Sequence, residues 1–334
     1  MAQRSIFVVW KVYQRRVEAL QAPFEASATY LHFDWEERSK AHKAVSYCCK
    51  FCLTLWVLYR RRPDLVYVQA PPVFAVYAAW LYSRIFGVPY VVDAHNPMIY
   101  DTFWPRLPWA TTVLRQAASV LVHNPYVEDM ARAMDLPCTV LMDRPPDVRP
   151  EEFPLPRAII GDRHAPRVVV PCSYDVDEPL AELQNATRAL PHVDFFITWY
   201  REKLPREFAH GFGSNVIFTG FLPIQEFNAL LACADVILVL TTRNGTQPSG
   251  ATEALSFERP LVVSDSQTIR TLFPKGAIYV ENQAGAIADG IQAALRDKER
   301  LSGEMVSFKA EKASSWEQQF ETLKLRLATA TRGR

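Results

Sequence analysis

Short runs of β-branched and aromatic residues alternate along this chain with longer stretches in which apolar positions recur at three- and four-residue spacing. The first pattern is that of a strand buried on both faces; the second is that of a helix laid over it. In the first half the runs predict strands at Ile6–Trp10, Thr29–Phe33, Leu65–Gln69, Tyr90–Asp93, Val120–His123 and Thr139–Met142. In the second half they predict strands at Arg167–Cys172, Val193–Thr198, Asn215–Thr219, Val236–Thr241, Pro260–Ser264 and Ala277–Val280. Strands separated by helical stretches are joined by crossovers, so each half is expected to form a parallel sheet with helices on its faces. The expected fold class is α/β, with two Rossmann-like domains.

Between the halves the pattern breaks. The segment Asp143–Pro166, DRPPDVRPEEFPLPRAIIGDRHAP, holds six of the 24 prolines. Proline fixes φ and removes a backbone donor, so a regular core element is excluded there. The expected division is a first domain over 1–145, a Pro-rich linker over 146–166, a second domain over 167–310, and a terminal helix over 311–334 packing back on the first domain. The halves also echo one another: PDLVYVQAPPVFAVYAAWLYSRIFGVPYVVDAHN and ADVILVLTTRNGTQPSGATEALSFERPLVVSDS share a β-loop-α-β plan. Shared architecture says nothing of substrate.

Composition narrows the classes. At 334 residues with 49% hydrophobic and 22% charged, the chain is of ordinary globular make-up and long enough for two cores. Lys+Arg total 37 against Asp+Glu 36, so no electrostatic footprint for nucleic acid is present. Three of six cysteines cluster as Cys48, Cys49 and Cys52, with no matching Cys/His pair downstream; packed thiols on a helix are expected there in place of a zinc half-site. The opening SIFVVWK has five apolar residues before a lysine, too few for a signal peptide, and no apolar run approaches the ~18 residues of a spanning helix. A reducing, cytoplasmic address is the expectation. Glycine excludes more. None of the 12 forms GxxxxGK, and Gly211-Phe212-Gly213 has Val216 where a dinucleotide fingerprint needs a third glycine.

Ligands of open parallel sheets bind beyond the carboxyl ends of the strands, so polar residues at those ends are the candidates. In TTRNGTQPSGATEAL (residues 241–255) a strand end leads through a polar loop to a helix start. Amides of Gly250, Ala251 and Thr252 there would face an anion favoured by the helix dipole, and Glu253 could accept from vicinal hydroxyls. The same residues also fit a capping motif with Ser249 as N-cap. In the first half, Asp93 and His95 share a strand face, and Asn96 and His123 stand at neighbouring strand ends. There a carboxylate could orient an imidazole, or these could be satisfied polar strand ends. Ser173 follows the first strand of the second domain, where Asp177 and Pro179 suit a helix start. Arg201 and Lys203 follow the next strand and could reach a diphosphate or be solvated. Arg15 and Arg16 invite the same two readings toward an anionic acceptor.

Taken in order, DAHN, FTGFLPIQEFNALLACADVILVLTTR, SGATEAL, ERPLVVSD and the late SSWEQQF resemble GT-B glycosyltransferases of the retaining, family-four (group 1) type, most strongly from Val168 to Val280, with LTTR and DEP pointing to a divergent branch. The resemblance implies two Rossmann-like domains facing a central cleft. It implies transfer of a hexose-type sugar, with retention, from a nucleoside-diphosphate sugar to a hydroxyl acceptor. It gives Glu253 the donor ribose, and Gly250 and Ala251 the diphosphate. Gly220, Phe221 and Leu222 lie near the base, and His95 faces the transferred sugar and acceptor. Ser173, Thr242, Arg243, Ser249, Thr252, Arg201 and Lys203 complete the expected donor side. Asp93 joins His95 as catalytic, and Arg16, Asn96 and His123 stand on the acceptor side.

Two departures from that pattern are visible. Gly245 stands eight before Glu253, where the family has its first glutamate, and Asp175, Asp177 and Glu178 replace the Arg and Lys that clamp the diphosphate. Charged hydrogen bonds are worth ~1.5–3 kcal/mol each, so two lost contacts need a substitute, for which Arg243 is the first candidate. No metal and no cofactor beyond the sugar nucleotide is expected. The expected partner is a glycan or lipid-linked acceptor of polysaccharide synthesis. Ile99–Trp109 and Ala44–Arg62 are readable either as packing surface or as peripheral contact with the inner face of a membrane. Rival readings are a sugar-nucleotide epimerase of the same fold and a non-catalytic glycosyltransferase-like binding partner.

Overall fold

A computed structural model describes residues 4–100, 103–144 and 148–332. Six strands form the first sheet: β1 (Ser5–Val9), β2 (Ala26–Tyr30), β3 (Leu65–Ala70), β4 (Tyr90–Ala94), β5 (Ser119–Val122) and β6 (Cys138–Val140). Six more form the second: β7 (Arg167–Val170), β8 (Asp194–Ile197), β9 (Val216–Phe218), β10 (Val236–Val239), β11 (Leu261–Ser264) and β12 (Ala277–Val280). Every pairing is parallel, in the orders β2-β1-β3-β4-β5-β6 and β12-β11-β10-β7-β8-β9. The α/β class with two parallel sheets is therefore what the periodicity predicted.

The chain divides into two compact units, one of residues 1–144 with 315–334, the other of residues 145–314. The helix Lys298–Arg332 contributes to both, and its last part brings Trp316, Phe320, Leu323 and Leu327 into the core under β1 and β3, against Phe7, Phe24 and Tyr67. The other face of the first sheet is closed by residues of Val73–Phe86, Ala110–Arg115 and Pro125–Ala133. Part of the Pro-rich segment, residues 145–147, lies outside the described residues.

Two local expectations are corrected. β2 begins three residues earlier than its run of Thr, Tyr and Leu suggested, because it starts directly after the left-handed turn at Glu25 (φ 48°) and pairs with β1 from Ser5↔Ala26. The cysteines of the helix Lys40–Arg61 are exposed; they are not packed. The stripe this helix buries is Ser46, Lys50, Thr54 and Leu58, at the i, i+4 spacing of one face. It is buried because its polar atoms find partners: Thr54 accepts from Trp10 Nε1 at 3.0 Å, and Lys50 pairs with Glu36.

Several strands end one or two residues before their apolar runs do. The ladder is completed there by hydroxyls: Thr198 accepts from Cys172 N at 3.2 Å and Ser264 from Thr241 N at 2.9 Å. Among the described residues no helix is long and apolar enough to cross a membrane. Val45, Trp56 and Tyr59 of the Lys40–Arg61 helix are exposed, as are Phe103 and Trp109 of the aromatic segment; residues 101 and 102 of that segment lie outside the described residues.

Candidate functional site

In each sheet the strand order reverses at one place, β1/β3 in the first and β7/β10 in the second. The loops leaving the carboxyl ends of such neighbouring strands turn to opposite faces and leave a crevice. The second-unit candidates at 173 and 242–253 follow β7 and β10, whereas Asp93, His95 and His123 of the first unit lie at the ends of β4 and β5.

In the second unit the helix Ser249–Ser256 follows β10. Its N-cap is Pro248, with no side-chain cap, so the capping alternative built on Ser249 is overturned: Ser249 is the first helical residue. The first turn lies close against the sheet. A Cβ on Gly250 would stand 2.9 Å from Val239 Cγ2 and 3.2 Å from Pro171 Cβ, so only glycine lets the backbone pack there. Ala251 is fully buried, Thr252 accepts from Gln247 Nε2 at 3.1 Å, and Glu253 is half-buried one turn in.

The loop after β7 is folded on itself by Glu178. Its Oε1 accepts from Ser173 N (3.0 Å) and Ser173 Oγ (3.2 Å), and its Oε2 from Asp175 N (3.1 Å). Asp177 ties that loop to the end of β10, accepting from Thr241 Oγ1 at 2.5 Å, while its carbonyl accepts from Thr242 N and Oγ1 at 2.8 and 3.2 Å. Ser173 and Thr242, expected on the donor side, each donate their hydroxyl hydrogen within this unit. Asp177 does not cap a helix either; the next one begins at Leu180 after Pro179. Cys172, also beside Glu178, has its thiol pushed up to about 12 by burial and then by that carboxylate, and so stays protonated.

Arg243 lies half-exposed with Nη2 3.4 Å from both Asp175 Oδ2 and Asp177 Oδ1. It is a cation at the crevice, held by carboxylates where the family pattern has cations. Arg201 and Lys203 have partners within the second unit. Arg201 donates to the Ala209 carbonyl at 3.1 Å, and Lys203 sits 4.5 Å above the Tyr200 ring, where cation–π contact holds it. Gly220 is left-handed (φ 69°) beneath Tyr200, and Phe221 after it is 76% exposed.

In the first unit the β3–β4 register sets Gln69 beside Asp93, and the β4–β5 register sets Asp93 beside Leu121. His95 and His123 each lie two residues beyond those partners, and their rings meet edge to face at 4.5 Å. Asp93 is fully buried between them. His123 Nε2 is 3.5 Å from Oδ1 and His95 Nε2 is 3.7 Å from Oδ2. Burial would raise the Asp93 carboxyl, but Arg16 and then His123 hold it well below the ordinary carboxylate range. Burial, and then His123, carry His95 down to about 3. The imidazole is thus neutral. Amides of Gln69 and Gln14 point at its Nε2 at 2.9 and 3.1 Å; amide nitrogen only donates, so Nε2 accepts and Nδ1 carries the proton.

Arg16, expected on the acceptor side, is engaged within the first unit. It is buried, donating from Nε to Asp93 (3.0 Å), from Nη1 to Asp143 (2.5 Å) and from Nη2 to the Leu141 carbonyl (2.7 Å). A guanidinium out of water needs such partners, and these consume it. Asn96 begins the loop after β4, its carbonyl accepting from Ile99 N and Tyr100 N. Gln14, Gln69 and Asp143 were not singled out from the sequence. An amide at a strand end was the only local signal for Gln69; Asp143 was read as linker.

With this geometry established, the architecture is that of the GT-B glycosyltransferases. Residues 180–297 match the family described as glycosyl transferases group 1. Sucrose-phosphate synthase from Thermosynechococcus elongatus is similar in structure at a TM-score of 0.72 and 12% identity, over 99% of this chain and 100% of that one. Anabaena HepE in complex with UDP-glucose is similar at 0.73 and 14%, over 96% and 99%. UDP-GlcNAc 2-epimerase from Neisseria meningitidis, bound to UDP-GlcNAc, is similar at 0.60 and 12%, over 97% and 100%. No curated protein matches the chain in sequence.

Proposed function

We propose that this protein transfers a hexose-type sugar from a nucleoside-diphosphate sugar to a hydroxyl acceptor, with retention of configuration and without a metal. The observation that carries this reading is the start of the Ser249–Ser256 helix, uncapped by any N-cap side chain, at the carboxyl end of β10 beside the β7/β10 reversal. Backbone amides and the helix dipole there favour an anion, and Gly250 removes the side chain that would hold the helix off. A diphosphate seated on these amides is the leaving group whose developing charge they stabilise. Arg243 adds a cation, and Glu253 accepts from the donor ribose. Gly220, Phe221 and Leu222 border the base.

His95 of the first unit takes the sugar- or acceptor-side role. Its neutral ring presents Nδ1–H as a donor, the Gln69 and Gln14 amides hold its Nε2, and Asp93, Asn96 and His123 stand beside it. The match of residues 180–297 to a glycosyltransferase family supports the same reading. A glycan or lipid-linked acceptor of polysaccharide synthesis, met in the cytoplasm at the inner membrane face, is the acceptor proposed.

The test is donor-dependent release of nucleoside diphosphate from a panel of sugar nucleotides, with and without an extract containing acceptor. Acceleration by the extract is expected. Conversion of the donor to another free sugar nucleotide without acceptor would make the protein an epimerase, and binding without turnover a non-catalytic partner. Glu253→Ala should weaken the sugar nucleotide about tenfold or more in calorimetry.

A further inference from the structure

Two buried ligand atoms beside His95 make no hydrogen bond among the described residues. Asp93 Oδ2 and His123 Nε2 are out of solvent and make no hydrogen bond, on residues exposed by 0% and 8%. Buried polar atoms are normally satisfied, so an orphaned pair pointing into one cluster asks for a ligand. Beside them one guanidinium, Arg16, faces two carboxylates, Asp93 and Asp143, and the Gln69 and Gln14 amides face His95 Nε2. Lys11 is a second cation acting on this group.

We propose that Asp93, His95 and His123 form a binding site for a divalent transition-metal ion of the zinc type. One donor atom from each residue lies within 4.8 Å of the others. His123 Nε2 lies 3.5 Å from Asp93 Oδ1, and His95 Nε2 lies 3.7 Å from Asp93 Oδ2. Donors at ~2.0–2.1 Å from a tetrahedral ion stand about 3.3–3.4 Å apart, so small side-chain rotations close the site. Two imidazoles and one carboxylate are a borderline nitrogen–oxygen set, which zinc and cobalt(II) prefer and magnesium does not.

Each ligand is ready in chemical form. Arg16 engages Asp93 Oδ1 and leaves Oδ2 for the ion. His95 Nε2 already bears its lone pair, and turning over the Gln69 or Gln14 amide replaces a donor by Oε1, a candidate fourth ligand. An ion there takes His95 Nε2 and leaves Nδ1–H in place, so binding of the ion does not rest on the transfer reading.

The experiment uses the full chain carrying Cys48→Ser, Cys49→Ser and Cys52→Ser, which removes the exposed thiols as competitors, after treatment with chelator. Titration with zinc chloride is expected to give one ion per chain, and magnesium chloride none at the same concentrations. His123→Ala and His95→Ala are each expected to weaken zinc at least about tenfold. Added cobalt(II) should produce the visible d–d bands of a four-coordinate site, a readout that needs no ligand variant to fold. Absence of stoichiometric zinc, of the cobalt bands, or of any loss in both histidine variants overturns the site.

Discussion

Arg16 donates from Nε to Asp93 at 3.0 Å with both side chains withdrawn from solvent, which makes the pair the buried strut of the first unit's strand ends. The guanidinium also reaches Asp143 and the Leu141 carbonyl, so it joins the helix Arg15–Gln21 that follows β1 to the ends of β4 and β6. A buried pair of this kind adds little net stability, but breaking it leaves an uncompensated charge.

Arg16→Met is accordingly expected to lose about 3–5 kcal/mol of unfolding free energy, read from urea denaturation at neutral pH. Arg16→Lys should recover only part of this, because an ammonium cannot reach three acceptors in the guanidinium's planar fork. A loss below about 1 kcal/mol would mean the strut is replaceable by water.

Acid should destabilise the first unit through His95. Its folded value, about 3, lies below the ordinary imidazole value, so between these limits the unfolded chain binds the extra proton. The contribution is fully present at neutral pH and is lost as pH falls from about 6.5 toward 3; Asp93, also lowered, adds a loss of the same sign below the ordinary carboxylate range. Between pH 6.5 and 5, urea denaturation with chelator present should show about 2 kcal/mol of weakening from His95. His95→Gln should flatten that slope, and a variant as steep as the parent would remove His95 as its source.

Gly250→Ala tests the close approach of the helix start to the sheet. The added Cβ meets Val239 and Pro171, and overpacking of this kind costs about 1–3 kcal/mol. The helix start is expected to move outward, with a lower melting temperature and sugar-nucleotide binding weakened about tenfold. Unchanged binding in a folded variant would take the Gly250 amide out of the donor site.

Arg243 and Asp175 should act in opposite directions. Arg243→Ala removes a cation from the crevice and is expected to weaken nucleoside diphosphate about tenfold. Asp175→Asn removes a carboxylate 3.4 Å from the same guanidinium and should tighten binding a few-fold, the exposed pair being worth under about 1 kcal/mol. Weaker binding in Asp175→Asn would instead show that Asp175 positions Arg243.

The alternation of apolar runs with helical stretches was enough to reveal two parallel-sheet units, because side-chain period is a local property that a strand or helix displays without its neighbours. Strand ends were legible to within a residue or two, except at β2, where one neighbour and a polar face left little apolar signal. That Asp93 and His95 share a face followed from their spacing alone.

Which distant side chains meet did not follow from the chain order. Arg16 reaches Asp93 and Asp143 across 77 and 127 positions, and only the order β2-β1-β3-β4-β5-β6 brings those strand ends together. The same holds for the tie between Asp177 and Thr241, 64 positions apart, which spends groups that looked available for a ligand. Local pattern determines elements; burial determines which charges must be paired, and only the assembled sheets decide with what.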